Sequence, residues 1–308
     1  MGNKTINQHY IPQFYIKRFG YGISDNERIS VLNLMSGEIL HNQNPRNYAS
    51  KRYLYDASRE DLEKALDYDL KVFPELKGNE LLNDEQFVEH ALSRGEKEYK
   101  EILDLLEQDM HNIYDDSIRA VFIIFMHELA YRTVGYKDKM NSINNKMESQ
   151  LNEFCDSMQL NYEDRKQVFN HNFISGKEIQ LEKILSLNEI LKTKDKLINN
   201  YDWYIGIYNT EMDFIISDNP LQTIWMGFND ICVPIFRRKA IIMRVKNDDK
   251  IASYGGSTDN TIDLSQKSVI LYNSLQISMA HSFLFGSEKA IDYMKIINDK
   301  LKDAKKDN

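Results

Sequence analysis

The spacing of apolar residues changes period twice along the chain. In the first 57 residues, Arg28–Leu34 and Glu38–His41 are short β-prone runs separated by Met35-Ser36-Gly37, where glycine can take the positive φ of a tight turn, which predicts a hairpin. From Ser58 the period becomes helical. Ser58 and Asp61 form an N-cap pattern, and Leu62, Ala65, Leu66 and Leu70 follow at helical steps. Ile118, Val121, Phe122, Phe125, Met126 and Leu129 define a second helix, which Ile123 and Ile124 make apolar on its other side, so a central, buried position is expected. Ser175 and Glu178 open another helix, and the polar, Asn-rich stretch from Lys137 to Glu153 reads as the solvated length of a long helix and its exit loop.

After Asn200 the pattern turns to strands. Trp203–Tyr208, Asp213–Ile216, Cys232–Phe236 and Lys239–Val245 are β-branched and aromatic runs bounded by Asn, Asp, Pro or Gly. Asp263 or Ser265 then caps a helix reaching about Ala280, and a last amphipathic helix starts near Glu288. The expected class is α+β: an N-terminal β-hairpin segment (1–57) and a C-terminal antiparallel sheet with helices (201–308), packed around a long helical middle (58–200). No repeat and no linker rich in Pro or Gly divides the 308 residues, which predicts a single domain.

Composition narrows the classes of function. With 42% hydrophobic residues a chain of this length hides about three quarters of its unfolded surface. A net charge of −8 repels polyanions, so non-specific binding to duplex DNA is disfavoured and any nucleic-acid contact must be local. The first 60 residues nevertheless carry a balance of +3. Cys155 and Cys232 are too few for a disulfide scaffold or a cysteine-rich zinc site, which fits a reducing, cytoplasmic compartment. No stretch approaches the roughly 20 apolar residues that span a bilayer, and Met1–Gln8 carries neither a secretion core nor a myristoylation pattern.

Two polar boxes stand out. The first, His9-Tyr10-Ile11-Pro12-Gln13-Phe14-Tyr15-Ile16-Lys17-Arg18-Phe19, is dense in aromatics and donors; a short helix after Pro12 would bury Tyr15 and Phe19 while His9, Gln13 and Lys17 line another face. His9 titrates near neutrality, so it is either a structural histidine or a catalytic one. The second, Phe214-Ile215-Ile216-Ser217-Asp218-Asn219-Pro220, ends a predicted strand, where a sheet can mount a catalytic carboxylate; the same residues are also ordinary turn formers. Asp218 could act as a base or hold a divalent metal, the one cofactor this pattern admits. His127-Glu128-x-x-Tyr131-Arg132 lacks the second histidine of a zinc-protease helix; Glu128 and Arg132 are spaced for an i,i+4 ion pair, and a buried Arg132 would be placed to grip a phosphate or carboxylate.

Asn273 falls on an apolar stripe and needs partners, structural or ligand. Arg237, Arg238, Lys239, Arg244 and Lys246 form a basic run, either a solvated edge or, in part, a patch. Gly255-Gly256-Ser257 lacks phosphate-loop spacing and reads as a turn.

The opening box, the Ser217–Pro220 box and the Asn273-bearing helix together resemble the bacterial domain-of-unknown-function family 4238, over about His9 to Phe285; Arg132-Thr133 also matches a family position. The resemblance implies the architecture and the pairing of the boxes, and carries no mechanism. Two expectations follow. In the first, the chain is a hydrolase or transferase acting on a phosphate-containing small molecule or RNA, with His9 as general acid or base, Asp218 as base or metal ligand, Arg132 as charge stabiliser, and Tyr10, Gln13, Asn219 and Asn273 orienting. In the second, both boxes brace the fold of a non-catalytic ligand-sensing or protein-binding component of a bacterial defence or stress system. The first requires His9 and Asp218 to share one wettable cavity.

Overall fold

The computed structural model describes residues 4–22, 26–169, 175–209, 211–221, 230–246, 257–258 and 260–306. Gly255 and Gly256 lie outside them. The chain opens with β1 (Asn7–His9) and α1 (Gln13–Lys17), followed by β2 (Ile29–Asn33), β3 (Ile39–Gln43) and β4 (Ser50–Arg52). The helical middle holds α2 (Arg59–Ala65), α3 (Asp67–Val72), α4 (Phe87–Gln108), α5 (Asp116–Tyr131), α6 (Val134–Ser157), α7 (Tyr162–Phe169), α8 (Gly176–Leu185) and α9 (Leu187–Asn200). The C-terminal part alternates: β5 (Tyr201–Ile207), β6 (Ile216–Ser217), β7 (Asp230–Phe236), β8 (Lys239–Val245), β9 (Ser257–Thr258), β10 (Thr261–Asp263), α10 (Gln266–Met279), β11 (Phe283–Gly286) and α11 (Glu288–Lys306).

The fold is α+β, with sheets at both chain ends around a helical middle. The β2–β3 hairpin turns at Gly37, whose φ of 75° a side chain would strain. Ser58 and Ser175 cap α2 and α8 with complete capping boxes, and Ser265 caps α10. Three local expectations are revised. Of residues 213–216 only Ile216 is strand, in the two-residue Ile216–Ser217, because Asn273 on α10 binds the backbone at 213 and 215 instead of a neighbouring strand. Helix α6 continues to Ser157 with no exit loop by 153. The C-terminal sheet is not purely antiparallel: in the order β7-β8-β5-β10-β9, β10 runs parallel to β5.

The N-terminal hairpin and the C-terminal part share a sheet, in the order β3-β2-β11-β6, through antiparallel pairing of Val31 with Phe285 and of Leu284 with Ser217. This pairing carries the Ser217–Pro220 box to the hairpin. Helix α5 is buried on several sides, as its apolar pattern predicts. Tyr15 of α1 packs edge-on against Phe125 of α5 and Phe19, and its hydroxyl donates to the Pro234 carbonyl at 2.6 Å. Pro234 is tolerated in β7 because β7 is an edge strand, with a register shift between Pro234 and Phe236. These contacts hold α1 against the β7–β8 turn.

Candidate functional site

The two polar boxes converge on the end of α5. Arg132 is the C-cap residue of α5, and its guanidinium turns back to the His9 carbonyl at 2.5 Å and to Glu96 of α4 at 2.9 Å. The next residue, Thr133, donates its hydroxyl to Asn219 at 2.8 Å. Asn219 in turn donates to the Met279 carbonyl at 3.1 Å, and helix α6 passes so close that a Cβ on Gly135 would stand 2.9 Å from its amide nitrogen. Asp218 is fully buried, and its oxygens accept from the backbone N–H groups of His281 and Ser282 at 2.8 and 2.9 Å. Burial holds its carboxyl above the ordinary carboxylate range, against the pull of those amides.

This geometry corrects the expected role of Asp218. A carboxylate with no exposed surface, clasped by two amides, offers neither base nor metal ligand to solvent. Among the described residues no group of three or more His, Cys, Asp or Glu side chains is placed to hold a metal. Asn273 is likewise internal: it accepts from Ile215 N at 3.1 Å and donates to the Asp213 carbonyl at 3.0 Å. Gln276, which the sequence reading missed, accepts from both the amide and the hydroxyl of Ser217 and donates to the Pro220 carbonyl. It stands three residues after Asn273 on the same stripe, which was the available signal. Tyr10 is buried, and burial first and the Asp218 charge second push its phenol far above its usual value. Asp218→Ala would leave two part-buried amides without their acceptor, each bond to a charged group being worth about 1.5–3 kcal/mol. A lowered urea midpoint equivalent to roughly 3 kcal/mol is expected; an unchanged midpoint would remove the bracing role.

The expected Glu128–Arg132 ion pair is also revised. Glu128 accepts the Tyr99 hydroxyl at 2.6 Å, while Arg132 pairs with Glu96. Arg132 is 2% exposed, with Glu96 and the His9 carbonyl as its hydrogen-bond partners.

His9 and Gln13 are different. His9 is half-buried; desolvation lowers its pKa, and Glu96 opposes the change. Gln13 Nε2 stands 2.6 Å from His9 Nε2, the contact an amide donor makes to the lone pair of a neutral ring. On its other side Gln13 lines an open cleft of about 670 Å³ between α1, α4 and the β7–β8 turn. The cleft is walled by Phe14 and Phe236, and by six cationic side chains (Lys17, Arg18, Lys100, Arg237, Arg238, Lys239) against three carboxylates (Glu27, Asp104, Glu107).

Arg18 is committed: it pairs with Asp104 and Glu107 and lies 5.1 Å from the Phe236 ring centroid. Lys17 pairs with Glu27 at 3.1 Å. Arg237 and Arg238 are exposed and reach Asp213 at only 3.9 and 3.5 Å, and exposed Lys100 has no ion pair among the described residues. The basic run is thus split, with residues 237–239 at the cleft and Arg244 at the far end of β8 opposite Asp230.

The fold and this cleft define an α+β protein with a cationic surface site beside a braced core. The chain belongs to the family described as protein of unknown function (DUF4238), whose profile matches residues 7–290. Neither a curated protein nor a solved structure matches it. No helix among the described residues is long and apolar enough to cross a membrane.

Proposed function

We propose that this chain binds a phosphate-containing ligand, a nucleotide or a short RNA, in the cleft between α1, α4 and the β7–β8 turn. The observation that carries the reading is the charge of the cleft: a chain of net charge −8 gathers six cations against three acids around one concavity, and leaves Lys100, Arg237 and Arg238 loosely held. Guanidinium groups grip phosphate oxygens with two bonds, and the half-buried Phe14 in the cleft wall is an aromatic of the kind on which bases stack. The sealed bracing by Asp218, Asn219, Asn273 and Arg132 favours ligand sensing over catalysis. The hydrolase or transferase reading rests on His9 alone, whose neutral imidazole would act as a base at Nε2 once Gln13 swings aside. Two buried free cysteines are consistent with a cytoplasmic setting.

The test is titration calorimetry of the full chain with AMP, inorganic pyrophosphate and a ten-nucleotide RNA at low salt. Binding of at least one probe is expected, weakened tenfold or more by Arg237→Glu with Arg238→Glu, and progressively by salt. Equal binding by the double variant, or no binding of any probe at millimolar concentration, overturns the reading. Probe turnover lost in His9→Gln, with binding intact, would move the assignment to the enzymatic form.

A further inference from the structure

Helix α6 carries a feature that the cleft does not use. Met140, Ile143, Met147, Leu151, Phe154 and Met158 recur at steps of three, four, four, three and four residues. At 3.6 residues per turn they fall on one stripe about 80° wide. Met140, at its base, is half-buried against the core. Beyond it, Ile143, Met147, Phe154 and Met158 are exposed, Met147 by 54% and Phe154 by 51%. Between Ser142 and Ser157, ~24 Å of helix, Cys155 alone is buried, and Asn144 and Leu151 are half-buried. Apart from Cys155, the rest of this arm is Asn, Ser, Gln, Lys, Glu and Asp. A helix that is polar all round except for a continuous Ile, Met, Leu and Phe seam has the pattern of a coiled-coil surface, and bare apolar seams of this length mark interaction sites.

The charges beside the seam select the occupant. On one flank Lys139, Lys146 and Glu153 follow at seven-residue intervals, all exposed and without an ion pair among the described residues. Against an identical helix running antiparallel, Lys146 of each copy faces Glu153 of the other, giving two equivalent ion pairs. A parallel pairing would set Lys146 beside the uncharged Asn144 and Leu151 of the second helix. The self-complementarity is that of a two-fold contact, in which one patch meets itself.

We infer that α6 is a dimerisation arm, pairing antiparallel with α6 of a second copy of this chain. Ile143 packs against Phe154 of the other copy on either side of a centre formed by Met147 and Gln150. The two pairs of Lys146 and Glu153 fix the register. One helix pair lies at the small end of stable interfaces, which bury about 800 Å² per partner, so dissociation in the micromolar range is expected.

Sedimentation velocity of the full chain from about 1 to about 200 μM tests this, since that range brackets a micromolar equilibrium. A reversible monomer–dimer equilibrium is expected. Met147→Glu with Phe154→Glu should leave a monomer at every concentration with an unchanged urea midpoint, since both side chains are exposed. Lys146→Glu should weaken the dimer at least tenfold, and adding Glu153→Lys should restore it. A monomer throughout would assign the seam to a different partner and overturn the inference. So would a dimer that survives the two glutamates, or a charge exchange that fails to restore association.

Discussion

Arg132→Met is expected to destabilise the protein by ~3–5 kcal/mol, the usual cost of removing one partner from a buried ionic cluster. The guanidinium is enclosed by Glu96, Glu128, Glu89, the Tyr55 ring and the His9 carbonyl. It holds the β1 end of the first box to α5, and Tyr55 ties the same residue by donating to the Arg132 carbonyl at 2.6 Å. Without it the His9 carbonyl loses its donor, and Glu128 and Glu89 each face the field of Glu96 with no compensating charge. The same substitution in a Glu128→Gln background should therefore cost less, by about 1–2 kcal/mol, because part of the penalty is the unpaired Glu128 charge. Urea unfolding of the four proteins in this cycle measures both quantities. A loss below about 1 kcal/mol, with ligand binding reduced instead, would mean that Arg132 holds a ligand and is no brace.

The pattern of the chain exposed what is local. Tyr15 and Phe19 meet because a turn of helix after Pro12 brings them together, and the Ser58 and Ser175 caps form with their own N3 residues. Asn273 was readable as a buried amide in need of partners because its apolar stripe is contiguous in sequence. What stayed hidden depends on chain separation. Glu96 lies 36 residues from Arg132 on a helix whose pattern gives no sign of a buried partner, and the nearer Glu128 was the obvious mate by spacing. Geometry decides otherwise, because Arg132 sits past the last helical turn, where its side chain is free to point at β1. The cleft was invisible for the same reason. Its cations come from α1, α4 and the β7–β8 turn, and no window of sequence contains all three. The basic run at 237–239 was visible, but whether it stood alone or beside α1 depended on the Tyr15 bond to Pro234, a pairing across 219 residues.

Stability should vary with pH through two neighbours on α5 that act in opposite directions. Burial pushes the Glu128 carboxyl up to about 7 from an ordinary 4.5, against the pull of Arg132 and the Tyr99 hydroxyl. The folded state thus holds a proton that the unfolded chain releases, and the contribution is full below 4.5 and lost as pH rises through 7. Burial lowers His127 to about 4 from 6.5, with the Lys183 carbonyl as the main opposing influence; the ring is enclosed by Thr193 and Lys183. That contribution is full above 6.5 and lost as pH falls through 4. Each shift corresponds to about 3 kcal/mol, so between pH 4.5 and 6.5 the two largely cancel. Glu128→Gln removes one arm: the variant should be more stable than the parent at pH 8 and lose that gain, relative to the parent, as pH falls from 7 to 4.5. His127→Gln removes the other, so its midpoint should improve relative to the parent as pH falls below 6.5. The depressed His9 and the raised Glu89 and Asp218 are common to all three proteins and drop out of the differences. Urea midpoints at half-unit steps from pH 4.5 to 8 give the two difference curves. If they run flat, or slope in the same direction, α5 does not carry opposed titrations.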